Sequence, residues 1–66
     1  AMVEIHVVNL MGRNVKTLFQ GFDKRGFKTI SWGGEHENGT IVPTGIYFCI
    51  LNANNYKEAK KIMFLQ

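Results

Sequence analysis

From Val3 to Val7 the chain alternates apolar and polar residues, Val-Glu-Ile-His-Val, the period of a strand with one face buried. Val8 breaks the alternation. Asn9-Leu10-Met11-Gly12-Arg13-Asn14 follows as a turn in which Gly12 is the residue suited to positive φ. Val15 to Phe19 then reads as the second strand of a hairpin, and Gln20 to Gly26 as a polar loop bracketed by Gly21 and Gly26. Phe27 to Trp32 alternates cleanly again. Phe27, Thr29 and Ser31 share one face and Lys28, Ile30 and Trp32 the other, with Ile30 and Trp32 the better core pair.

The segment Gly33 to Thr40 contains three glycines and an Asn-Gly dipeptide, so it predicts turns rather than a regular element. Ile41-Val42 has room for only a very short strand, which Pro43 ends because it has no N–H to give to a ladder. Gly45 is expected to let the chain turn a tight corner. Ile46 to Asn52 carries apolar residues on both faces, Ile46, Phe48 and Ile50 on one and Tyr47, Cys49 and Leu51 on the other. Such a strand is usually central and covered on both sides. Asn54-Asn55 predicts a tight hairpin turn, and Tyr56 to Leu65 a last strand with a break near Ala59. Only this last segment has enough helix formers for a helix, and it lacks a capped apolar stripe. Strands spaced by Gly/Asn turns predict an all-β fold, a small antiparallel sandwich or barrel.

At 66 residues the chain holds one domain at most. A chain of this size buries only about 60% of its unfolded surface, so its stability is marginal. Its one cysteine, Cys49, rules out an internal disulfide and a zinc site built on several thiolates. The apolar fraction of 45% suits a packed domain rather than disorder. The net charge of +3 is mild, and no apolar run reaches the length of a membrane span. Ala1-Met2 reads as an expression remnant ahead of a single domain, residues 3–66, cut from a longer protein.

Candidate chemistry is sparse. Glu35-His36-Glu37 is the most site-like cluster, but its partner histidine, His6, lies on a distant strand, and a solvated loop explains it better. Ser31 is the only serine, and Cys49 sits in an apolar run as a small core hydrophobe without a neighbouring base. The acids fall in loops or on exposed strand faces, so no carboxylate pair is positioned for acid–base work. These patterns predict no enzyme activity, no cofactor and no metal. Asn38-Gly39-Thr40 formally matches a glycosylation acceptor, although the Asn-Gly turn accounts for it. Lys24, Arg25 and Lys28, and separately Lys57, Lys60 and Lys61, form basic groups near Phe22, Phe27 and Tyr56. The low charge and the lack of an RNA-binding motif argue against nucleic acid, and edge lysines also keep sheets from pairing. Trp32 and Tyr47 would stack sugars only if both were exposed on one flat face.

The ordered motifs resemble a known family. "VEIHVVNLMGRNVKTL" is similar to a pattern of alternating apolar residues followed by Asp/Asn-x-x-Gly-x-x-Val-x-x-Leu. "GFKTISWGGEHENGTIVPTGIYFCIL" is similar to Gly, then Trp-Asp-Gly, then Gly-x-x-x-Pro-x-Gly-x-Tyr. Together they resemble the small immunoglobulin-like domain of the flagellar hook-capping protein and the type A C-terminal sorting domain of proteins exported by the type IX secretion system. The residues that carry the resemblance are Gly12, Trp32, Gly39, Pro43, Gly45 and Tyr47, and "KEAKKIMFLQ" resembles the closing strand. There are two departures. Gly33 stands where the family usually has Asp or Asn, which removes a hydrogen bond expected to anchor the loop. The family's Asn-Pro-Phe-type start and first strand are absent ahead of Val3, so an edge or an apolar strip is expected to be left open to a second copy.

The resemblance implies an immunoglobulin-like β-sandwich lacking its first strand. It implies a non-catalytic export address on a secreted or cell-surface bacterial protein, recognised in the periplasm by the translocation machinery. Pro43, Thr44 and Gly45, the Gly33 to Gly39 loop, and Lys60, Lys61 and Gln66 of the closing segment are the expected contact elements. The alternatives are a structural or accessory module of a hook cap or multidomain extracellular enzyme, and, further off, carbohydrate binding. Expected partners are the secretion machinery or a neighbouring domain, with homodimerisation through an open edge or apolar face.

Overall fold

The computed structural model describes residues 2–22 and 31–66. Four strands, β1 (Met2–Val8), β2 (Asn14–Phe22), β3 (Gly45–Ala53) and β4 (Tyr56–Phe64), form one antiparallel sheet in the order β2-β1-β3-β4. No helix occurs among the described residues. The fold is therefore all-β, as the alternation predicts. Of the expected strand from Phe27 to Trp32, residues 27–30 lie outside the described residues, as do Lys24, Arg25 and Lys28. Ser31 and Trp32 belong to no strand. The expected polar loop begins later than its composition suggests, because Gln20, Gly21 and Phe22 continue β2 opposite Glu4, Val3 and Met2.

Side-chain chemistry explains the turns. Asn9 Oδ1 accepts from the N–H groups of Met11 and Arg13, at 2.9 and 3.0 Å, and closes the β1–β2 connection from within. Gly12 completes it at φ 80°, as expected from its place in the turn. The β3–β4 hairpin turns on Asn54 and Asn55 between the paired Ala53 and Tyr56, with Asn54 at φ 55°. β4 is continuous. Ala59 pairs with Ile50 in an unbroken register, so the expected break is absent.

β3 is central, between β1 and β4, and among the described residues the buried cluster lies on its Tyr47 face. Pairing puts Val3, Ile5 and Val7 of β1 on the same face as Ala53, Leu51 and Cys49. The segment from Trp32 to Val42 lies over this face. Val7, Val15, Val42 and Tyr47 form the buried cluster there, with Leu18, Trp32 and Phe64 packed against it. β2 reaches that cluster by two irregularities. Its register with β1 slips at Leu18 and again at Val15, and both inserted residues join the core. Three positions apart, they would face opposite ways in a regular strand; the bulges bring both inward. On the other face Ile46, Phe48 and Ile50 are half-buried, and Met63 beside Ile46 is 65% exposed.

Candidate recognition surface

The Gly33 to Gly39 loop is a compact hairpin. His36 N donates to Thr40 O at 2.7 Å, Glu35 and Ile41 form a bridge, and Val42 N donates to Gly34 O at 2.9 Å. Asn38 Oδ1 accepts from both the N–H and the hydroxyl of Thr40, and Gly39 occupies the turn at φ 91°. The expected short strand at Ile41-Val42 is reduced to this single bridge, because Pro43 follows immediately. Trp32 Nε1 donates to Glu35 O at 2.9 Å, so the loop is anchored with Gly33 in place of the expected Asp or Asn. The glycine has its own use. A Cβ on Gly33 would sit 3.1 Å from Glu35 Oε1, so its absence leaves room for the Glu35 carboxylate. The other oxygen of that carboxylate lies 3.7 Å from Lys16 Nζ.

The loop also docks on β2. Glu37 N donates to Val15 O at 3.1 Å, and Glu37 Oε2 accepts from Thr17 N at 2.6 Å. The Thr17 backbone N–H is the main reason the Glu37 carboxyl titrates below its ordinary value, with smaller help from the Thr17 side chain, Lys16 and Asn14 against desolvation. A carboxyl lowered in the folded state stabilises it above the unfolded pKa, and this contribution is lost as pH falls through the folded value. The Thr17 amide resonance is therefore expected to titrate below the usual glutamate range and to lose exchange protection as it does so. The Glu37→Gln variant should show neither change. A Thr17 amide with an ordinary glutamate midpoint would count against this docking. The Glu35 and Glu37 carboxylates thus face β2 and the His36 backbone closes the hairpin, and among the described residues no three His, Cys, Asp or Glu side chains converge on a metal position.

Trp32 and Tyr47 meet edge to face, with centroids 5.4 Å apart and planes at 62°, and Trp32 lies tilted at 49° over Phe64 at 5.7 Å. Tyr47 is buried. The rings interlock as core and offer no flat sugar platform, so the carbohydrate reading loses its motivating feature. Cys49 is half-buried, and burial pushes its thiol up, with Lys60 on the same face pulling the other way. It is a packing residue rather than an activated nucleophile.

Pro43, Thr44 and Gly45 form a corner that several contacts hold. The Tyr47 hydroxyl donates to Pro43 O at 2.7 Å. Thr44 Oγ1 accepts from Gln66 N at 2.9 Å, and Gly45 pairs with Phe64. Gly45 does not make the tight corner through a special backbone conformation: it is already strand, lacks positive φ, and leaves a Cβ 3.9 Å from the Tyr47 ring. The corner is made by side-chain bonds instead. Four of the six expected recognition residues, Pro43, Thr44, Gly45 and Gln66, are therefore gathered at one end of the sheet. Lys60 and Lys61 are not gathered with them. They sit within β4, opposite Cys49 and Phe48 and on opposite faces.

Sequence reasoning missed the apolar character of this end. Leu10 and Met11, at 70% and 76% exposure, border a shallow groove of about 220 Å³ that Asn9, Gly45, Ile46 and Tyr47 complete. Met63 and Leu65, at 65% and 72%, stand beside the same corner. The available signal was two large apolar residues at the tip of a polar turn, where turn chemistry needs neither. Compared with protein-family models, curated proteins and solved structures, the chain matches none.

Proposed function

We propose that this chain is a non-catalytic recognition module, an immunoglobulin-like export address of the type IX C-terminal kind on a secreted or cell-surface protein. The observation that carries the reading is the apolar corner. Pro43-Thr44-Gly45 is tied to Gln66 and flanked by exposed Leu10, Met11, Met63 and Leu65. A cluster of large apolar side chains at one tip suits docking against another protein. Further support comes from several family-like positions that hold part of the fold in place. Asn9 and Gly12 close a turn, Trp32 anchors the loop, and Tyr47 holds Pro43. The test is a reporter fused ahead of this segment, with the family's first strand restored, in a host that has type IX machinery. The reporter should reach the cell surface, and a Leu10→Ser/Met11→Ser pair should hold it in the periplasm with the domain folded. Periplasmic retention of the parent fusion, with the domain folded, would overturn the reading.

The second reading, an accessory module packed on a neighbouring domain, rests on the half-buried row Ile46, Phe48 and Ile50 opposite the core. It is favoured if protection of those residues in the parent protein exceeds that in the 66-residue chain.

A further inference from the structure

The two edges of the sheet are protected differently. β2 is twisted by two bulges, and the Glu37 segment already occupies part of its outer edge. β4 has none of this among the described residues. It runs nine residues without bulge or proline, in unbroken register with β3 on one side only. Its residues from Tyr56 to Lys61 are all exposed. Among the described residues its protective device is charge: Lys57, Lys60 and Lys61 against Glu58.

Charge protects selectively. In an antiparallel pairing of β4 with a second copy centred on Ala59, Lys57 would face Lys61 twice and Glu58 would face Lys60 twice, so charge gives self-pairing no net gain. The same lysines attract carboxylates. Lys60 projects to the core face with Cys49, and Lys57 and Lys61 to the other face with Asn52 and Phe48. An added strand also sends its side chains alternately to the two faces, so acids at successive positions would meet a lysine on either side. The carboxyl half of β4, Ile62-Met63-Phe64, is apolar.

We propose that the outer edge of β4 accepts an extended acidic segment of another protein as an added antiparallel strand. The amino-terminal half of that segment would be apolar and its carboxyl-terminal half acidic, matching β4 in reverse. Main-chain hydrogen bonds supply the pairing, and the lysines supply the choice of partner. This inference is independent of the export reading and uses a different surface from the apolar corner.

The probe is a ten-residue peptide with β-branched apolar residues first and three glutamates last, titrated into the 66-residue chain at low salt and followed by amide NMR. Shift changes and new exchange protection should concentrate in residues 56–64. Replacing the glutamates by glutamine should weaken binding at least tenfold, and N-methylation at alternate peptide positions should abolish it. The Lys57→Glu/Lys60→Glu/Lys61→Glu variant, its fold checked by its spectrum, should reject this peptide and bind a counterpart with lysines in place of glutamates. Binding that survives N-methylation, equal binding of oligothymidylate, pairing of β4 with itself, or no binding at low salt would each overturn the proposal.

Discussion

Replacing Gly34 with alanine is expected to unfold a large part of the population at room temperature. Gly34 is buried at φ 82°, and a Cβ there would fall within the ring of Phe64. The left-handed backbone costs an L-residue about 1–2 kcal/mol. Forcing a methyl group into packed space adds about 1–3 kcal/mol. Small domains have only about 0.05–0.15 kcal/mol of stability per residue, so the combined loss is comparable with the whole. The Gly39→Ala variant separates the two contributions. Gly39 also has positive φ, at 91°, but nothing lies within 4 Å of its Cβ position, so it should lose only the backbone part. Urea denaturation should rank Gly34→Ala well below Gly39→Ala. Combining Gly34→Ala with Phe64→Leu should recover part of the difference, because the ring is what the methyl group meets. Equal losses for the two glycines would show that Phe64 yields without cost.

Trp32→Ala should be nearly as damaging, by about 3 kcal/mol, the low end for a tryptophan truncation because the ring is only half-buried. The loss would fall first on the loop. Trp32 links Glu35 O to the rings of Tyr47 and Phe64, so removing it separates the hairpin of residues 34–42 from the sheet. Amide exchange should therefore accelerate at Val42 and Thr17, which the loop holds, more than within the β1–β3 ladder. The Trp32→Phe variant keeps a ring and loses the N–H donor, and should cost about 1 kcal/mol. A uniform loss of protection in Trp32→Ala would mean that loop and sheet unfold as one unit.

What was legible in the sequence follows from where the physics is local. The period-2 pattern of Val3 to Val7 needs only one buried face to be read, and Gly12 and Asn54-Asn55 identify turns because positive φ is a property of the residue itself. The corner residues Pro43, Thr44, Gly45 and Gln66 also stand out in the sequence, although 22 positions separate Thr44 from Gln66. Their closeness comes from the β3–β4 pairing, which sequence alone cannot register to a residue.

Other features depend on partners far along the chain. Val15 and Leu18 look like residues of opposite faces, and only the two bulges bring both into the core. Gly45 reads as the residue that turns the corner, but Tyr47 and Gln66 hold the corner by hydrogen bonds and leave the glycine in ordinary strand geometry. The Gly33 departure suggests a loosened loop, yet Trp32, Glu37 and the Gly34–Val42 bond secure it through contacts no local pattern contains.

The sequence by itself determined the all-β class, the turns at Gly12, Gly39 and Asn54-Asn55 and the absence of an internal disulfide, because alternation, turn residues and cysteine number act within a few residues or by simple count. The tertiary structure alone decided the strand order and which face of β3 carries the buried cluster. It also decided that Lys60 and Lys61 lie away from the corner, and that among the described residues one sheet edge is partly occupied by the Glu37 segment while the other is guarded by charge. Those outcomes rest on long-range pairing, whose register is set by the joint burial of side chains from segments that are distant in the chain.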